Sequence, residues 1–238
     1  MYRFLALAVL LAGCSSTKPS TPAVPLGQNV PQSFEAQRTV GYDYLLYVPE
    51  TYANSDEAFP LVLFLHGAGE RGDDLEKVKV HGPPKMVEDG RAFPFILASP
   101  QVPQGQIWSA ETLSALLDHL EASYRVDPER IYLTGLSMGG NGSWMLGMHE
   151  PDRFAAIVPI CGWGDARRVC ALKDTPVWTF HGDADQVVTI DYTDRLVTNL
   201  QRCEGNIQYT VYEGVGHDSW TPTYADEAMW DWMLSQRR

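Results

Sequence analysis

Cysteine is scarce, with four in 238 residues, and none of them forms a Cys-x-x-Cys pair or a paired His/Cys spacing. A structural zinc site is therefore not expected. Basic residues are few: 18 Lys and Arg stand against 30 Asp and Glu, a net charge of -12. This acidic balance disfavours nucleic acid and anionic membrane surfaces as electrostatic partners. No internal repeat and no low-complexity segment after Pro31 interrupts the chain. That argues against a solenoid and against a second domain behind a linker. The apolar run Phe4 to Ala12 is too short to cross a bilayer.

What is present at the N-terminus reads as a targeting segment. Met1-Tyr2-Arg3 is a short positive region, followed by the apolar run and by Leu11-Ala12-Gly13-Cys14. Residues 1–13 are expected to be a signal peptide. The Leu-Ala-Gly-Cys box resembles the bacterial lipobox, which implies cleavage before Cys14 and its lipidation. The competing reading is an ordinary signal peptide that meets a cysteine by chance. Residues 14–33, rich in Ser, Thr and Pro, are expected to be a flexible tether. Ser15 lacks the acidic character that retains lipoproteins in the inner membrane. The expected location is the outer membrane, facing the periplasm or exterior, with the anchor as the only membrane contact. Cys161, Cys170 and Cys203 permit one intrachain disulfide in any of three pairings and leave one thiol.

Residues 34–238 are expected to form one ordered domain, since this length and composition suit a single α/β core. Arg38 to Gly41 and Tyr42 to Val48 read as an early strand pair. Pro60 to Leu65, Phe95 to Ala98, Ile131 to Thr134, Ala155 to Ile160, Pro176 to Phe180 and Ile207 to Tyr212 are compact apolar runs. Such runs suit strands covered on both faces. Helices are expected over Ser109 to Tyr124, Met138 to His149, Asp191 to Cys203 and Ala225 to Leu234. Asp127-Pro128 is expected to break the chain before the third of these strands. Buried strands alternating with amphipathic helices predict a parallel sheet with helices on both faces.

Gly135-Leu136-Ser137-Met138-Gly139 follows a strand and opens a helix. The G-x-S-x-G pattern in that context predicts a sharp turn with an exposed serine hydroxyl, crowded enough to require glycine on either side. A hydroxyl needs a base, and the base needs an acid to hold its tautomer. His181-Gly182-Asp183-Ala184-Asp185 follows one strand, and Gly216-His217-Asp218-Ser219-Trp220 follows the next. Ser137, Asp185 and His217 therefore stand in the Ser-acid-His order. Asp183 competes with Asp185, its alternative role being to cap the turn. His66 and His181 precede glycines at strand ends, where packing or hydrogen bonding is expected. His119 falls on a helix surface, His149 at a helix C-terminus, and His81 in a loop with Gly82-Pro83-Pro84 that could form the site rim.

The chain resembles α/β hydrolases of the dienelactone hydrolase and carboxylesterase type, most of all exported esterases related to feruloyl esterases and polyhydroxybutyrate depolymerases. The matching residues are Leu65 to Gly72, Ser99-Pro100-Gln101 with Trp108, Gly135 to Gly140, His181-Gly182 with Asp185, and Gly216 to Trp220. The resemblance implies an α/β-hydrolase fold and a serine esterase with the triad Ser137, Asp185 and His217. It puts the oxyanion hole at the backbone N–H groups of Met138 and Ala68. It implies no cofactor and no metal. Glu70 and Arg71 are expected to brace the oxyanion loop. Trp108 and Trp220 are expected to border the substrate, with Trp163 equally suited to core or pocket. Lipase-like relatives insert a lid where this chain has only the short stretch from Ile160 to Pro176. An open site without a sizeable lid is expected, acting on small or polymeric esters.

Competing readings are a serine peptidase on the same machinery and a silent binding lipoprotein that keeps the fold. A metal-dependent hydrolase built on His181, Asp183 and Asp185 lacks a second histidine at ligand spacing. Neither the acyl or alcohol group of the ester nor an oligomeric state is encoded in any motif.

Overall fold

The computed structural model describes residues 25–36 and 40–238. The expected signal peptide and Cys14 lie outside the described residues. Eight strands form one sheet: β1 (Asn29–Ala36), β2 (Val40–Tyr47), β3 (Phe59–Leu65), β4 (Ile96–Pro100), β5 (Val126–Leu136), β6 (Ala156–Ile160), β7 (Val177–Gly182) and β8 (Ile207–Tyr212). Their order is β1-β2-β4-β3-β5-β6-β7-β8. β1 and β2 pair antiparallel, β2 joins β4 antiparallel, and β3 to β8 are parallel. The α/β-hydrolase fold expected from the sequence is present.

Helices α1 (Gly82–Glu88), α2 (Ala110–Ser123), α3 (Met138–His149), α4 (Asp191–Arg202), α5 (Trp220–Ala225) and α6 (Glu227–Ser235) cover the sheet. Along β3, Leu61, Leu63 and Leu65 face one core with Leu113 and Leu117 of α2, Trp144 of α3 and Leu196 of α4. Val62 and Phe64 face the other with Val87 of α1, Tyr224 of α5 and Met229 and Trp230 of α6. This period of two on a strand buried from both sides is why the run reads as continuously apolar.

Five expectations need correction. The first described strand starts at Asn29, upstream of the expected domain start at Phe34, because residues 29–36 pair with β2. Of the stretch expected as a separate strand over Arg38 to Gly41, residues 38 and 39 lie outside the described residues, and Val40 and Gly41 belong to β2. Asp127-Pro128 does not precede β5 but lies inside it, at the register shift opposite Phe59 and Leu61. A proline is tolerated there because a bulge needs no ladder donor. Gly82-Pro83-Pro84 is not loop but the first turn of α1, where the missing N–H would be unpaired in any case. The C-terminal helix expected over Ala225 to Leu234 is two helices, with the Asp226 side chain accepting from the Ala228 N–H at 2.9 Å and starting α6.

The Cys170–Cys203 disulfide selects one of the three pairings, with Cα atoms 5.7 Å apart. It fastens the end of α4 to the connection between β6 and β7. Cys161 is the free, buried thiol.

Candidate active site

Chain order in the sheet reverses beside β3: β4 lies on one side of it and β5 on the other. Loops at the carboxyl ends of strands flanking such a switch point diverge and leave a crevice. The loops after β3, β5, β7 and β8 carry the residues singled out from sequence.

Ser137 sits between β5 and α3 at φ 54° and ψ -114°. A non-glycine residue there stores about 1–3 kcal/mol of backbone strain. Crowding explains the flanking glycines. A Cβ on Gly139 would lie 1.8 Å from the Leu65 carbonyl oxygen, and one on Gly135 would lie 2.5 Å from that of Gly139. The turn is anchored by the Ser137 N–H donating to Ile160 O at 2.9 Å. Ser137 keeps partial exposure.

His217 reaches Ser137 from the loop after β8. Its Nε2 is 2.9 Å from Ser137 Oγ and its Nδ1 is 2.7 Å from Asp185 Oδ2. With Asp185 as acceptor, Nδ1 carries the proton and Nε2 is free to accept from the serine hydroxyl. Asp185 Oδ1 accepts from the N–H groups of Val187 at 2.8 Å and Val188 at 3.0 Å. Burial would raise the pKa of this carboxyl, but the hydrogen bonds from His217, Val187 and Val188 outweigh it and hold the group below its ordinary value. His181 Nε2 approaches the same Oδ2 at 3.2 Å and is 2.8 Å from Val188 O. Its other nitrogen is 2.8 Å from Thr193 Oγ1. This is the hydrogen-bonding role expected of it.

Asp183 turns elsewhere. Its Oδ1 accepts from the Gly214 N–H at 2.6 Å, tying the β7 loop to the β8 loop. That separates the two acids: one holds a turn, the other holds the imidazole. His181, Asp183 and Asp185 do not gather as ligands. Among the described residues, Cys161, Asp185 and His217 do have potential ligand atoms within 4.8 Å of one another. A metal there would have to displace the proton shared by Asp185 and His217. Burial also pushes the Cys161 thiol up to about 12, which disfavours the thiolate a metal needs.

The loop after β3 runs close beside the nucleophile. A Cβ on Gly67 would lie 3.6 Å from Ser137 Cβ. Ala68 opens a short 3-10 turn at residues 68–70, and Met138 opens α3. First-turn N–H groups lack intrahelical partners, so both can be aimed at a substrate oxygen. Arg71 braces this loop, its Nε donating to Ala68 O at 2.9 Å and its NH1 to Gln106 O at 3.3 Å. Glu70 is buried within the same loop. Gln101, at the end of β4, donates through Nε2 to Glu70 O at 2.7 Å and to Asp74 O at 2.8 Å. That support was missed in the sequence, where the only signal was a glutamine next to the buried end of a strand.

His66 accepts through Nε2 from the Val102 N–H at 3.0 Å, which leaves Nδ1–H for Gly67 O at 2.6 Å. Burial pushes this imidazole down to about 4. His81 stands at the rim as expected, 38% exposed, with its ring 5.4 Å from that of Trp220. His119 is half-buried and His149 exposed. Trp220 lies 5.3 Å from the His217 ring, edge to face. Trp108 does not border a substrate cleft: it is 2% exposed and donates to His66 O at 3.2 Å. It props the loop after β3 from within the core. Trp163 is partly buried against the same core.

The chain is 23% identical over 175 residues to the bifunctional acetylxylan esterase/xylanase XynS20E of Neocallimastix patriciarum, covering 71% of this chain and 25% of that one. It is 24% identical over 212 residues to acyl-protein thioesterase 1 of Candida albicans, covering 73% of this chain and 91% of that one. A solved thermostable esterase superposes with a TM-score of 0.78 at 34% identity, covering 90% of this chain and 64% of the other. The chain thus spans a quarter of the first relative and less than two thirds of the solved esterase. Residues 93–226, more than half of the chain, match the phospholipase/carboxylesterase family, with Ser137, Asp185 and His217 inside the matched region, and the chain belongs to that family of α/β hydrolases.

Proposed function

We propose that this protein is a serine carboxylesterase that uses Ser137 as nucleophile, His217 as general base and acid, and Asp185 to hold the imidazole. The observation that carries this reading is the unbroken hydrogen-bonded chain from Ser137 Oγ through His217 to Asp185, supplied by three separate loops. His217 Nε2 takes the hydroxyl proton as Oγ attacks the ester carbonyl. The resulting oxyanion receives the N–H groups of Met138 and Ala68. His217 then returns the proton to the departing alcohol. Water, activated by the same imidazole, releases the acid and restores Ser137. Each proton taken is returned, so no cofactor enters the cycle.

Small or exposed esters suit the short connection between β6 and β7, which holds one 3-10 turn, Val169–Leu172, in place of a long insert. Hydrolysis of short-chain p-nitrophenyl esters by the protein, lost in Ser137→Ala and indifferent to EDTA, is the direct test. Activity that survives Ser137→Ala or disappears with EDTA would overturn the reading. Equal or better turnover of peptide amides would favour the peptidase alternative.

The setting is part of the same proposal: an exported lipoprotein held to the outer membrane through Cys14, which follows Leu11-Ala12-Gly13. A diacylglyceryl adduct on Cys14 in the mature protein, with release from the membrane fraction in Cys14→Ser, is expected. A mature protein without the adduct contradicts it.

A further inference from the structure

Glu70 Oε2 and Trp220 Nε1 are among the buried polar atoms near the triad that make no hydrogen bond to protein. One accepts and the other donates. An unpaired buried polar group of this kind costs about 1–3 kcal/mol unless something else satisfies it, so an orphan acceptor and an orphan donor at one rim call for an explanation.

Their placement supplies it. Glu70 is 7% exposed, and its Oε2 would lie 3.1 Å from a Cβ built on Gly67, whose own position is 3.6 Å from Ser137 Cβ. The carboxyl group therefore stands against the oxyanion loop on the nucleophile's side. No neighbour satisfies it: His66 Nδ1 is 3.9 Å from Oε2 and committed to Gly67 O, and His81 Nε2 is 3.9 Å from Oε1. Both distances are too long for hydrogen bonds. Trp220 packs edge-on against both His217 and His81. From His81 and Trp220 a cavity of about 360 Å³ continues between α1 and α5, lined by Val80, Met86, Thr221 and Tyr224 among others. Groups on the His217 side of the serine face the alcohol half of an ester, because His217 delivers the proton to that half.

We propose that Glu70 is a specificity-determining residue that accepts a hydrogen bond from a hydroxyl on the alcohol portion of the ester, with Trp220 Nε1–H donating to the same portion. The substrate class is an ester of a polyhydroxy alcohol, such as a glycol, glycerol or sugar. This assignment rests on the serine-esterase reading and adds the identity of the leaving group.

The test compares two acetate esters, 2-hydroxyethyl and ethyl, which differ by one hydroxyl. The wild-type protein is expected to favour the hydroxyethyl ester in kcat/KM by about 10- to 100-fold, the range for a hydrogen bond to a charged group. In Glu70→Ala that ratio falls towards one, whatever happens to the absolute rates. If the alanine variant does not fold, Glu70→Gln has the same shape and a weaker acceptor, and an intermediate ratio is expected. A wild-type ratio near one overturns the inference, and so does a ratio unchanged in the variants, which would mark Glu70 as a loop-bracing residue only. A wild-type protein that cleaves neither ester, or a Ser137→Ala protein that cleaves both, overturns the esterase reading itself. That failure is distinct from cleavage of both esters at equal rates.

Discussion

Asp185 Oδ2 lies 2.7 Å from His217 Nδ1 while the other oxygen of the same carboxyl is gripped by two backbone N–H groups. The acid that orients the imidazole is itself fixed from behind. Such a carboxyl cannot rotate to follow the ring, so the ring must settle in the one orientation that points Nε2 at Ser137.

The two acids of the β7 loop should therefore separate cleanly by mutation. Asp185→Asn keeps the shape but favours the wrong histidine tautomer, and a kcat loss of about 10⁴-fold is expected. Asp183→Ala removes only the acceptor for the Gly214 N–H, with an expected cost of about 1 kcal/mol in stability and turnover within a few-fold of wild type. Ester kinetics and urea midpoints of the two variants check this. The opposite pattern would move the acid's role to Asp183.

Acid should weaken the fold in two stages. His66 is neutral and buried, with its pKa pushed down by burial to about 4. Between the unfolded value near 6.5 and that folded value, the unfolded chain binds a proton that the folded chain refuses. Stability falls as pH falls through this window, by about 3 kcal/mol in all. Asp185 acts lower down. Its folded pKa is depressed, so its contribution is complete above the unfolded value of about 4 and is lost as pH drops through the folded one. Urea midpoints from pH 7 to 3 measure both stages, and His66→Gln should flatten the first.

Reduction should loosen the fold without stopping the chemistry. The Cys170–Cys203 bridge closes a loop with a sequence separation of 33, for which chain entropy gives about 3–4 kcal/mol. Cys170→Ser with Cys203→Ser, or dithiothreitol, should lower the melting temperature while folded enzyme below it retains its turnover. Loss of turnover in still-folded protein would tie α4 to the site more closely than the hydrogen bonds require.

Much of this site was legible because its chemistry is local. Ser137 announces itself through flanking glycines that Leu65 and Gly139 carbonyls make obligatory. The strands of the core showed as apolar runs because both faces are covered. What stayed hidden depends on packing between distant segments. Trp108 follows a strand just as Trp220 does, yet one is sealed under His66 and the other leans on His217. Sequence position is the same for both; only the path of the loop differs. The pairing of β1 with β2, the choice of Cys203 as partner for Cys170, and the support that Gln101 gives to Glu70 O are long-range contacts with no periodic signal. The orphaned carboxyl oxygen of Glu70 belongs to the same class.

Covalent capture tests the central claim most directly. The protein is reacted with a fluorophosphonate, digested, and mapped by mass spectrometry, with ester turnover followed in parallel. One phosphonyl group on the peptide bearing Ser137, appearing in step with loss of turnover and absent from Ser137→Ala and slowed strongly in His217→Ala, is the predicted result. Full turnover in fully labelled protein, or inactivation with the label on any other residue, would contradict Ser137 as the nucleophile.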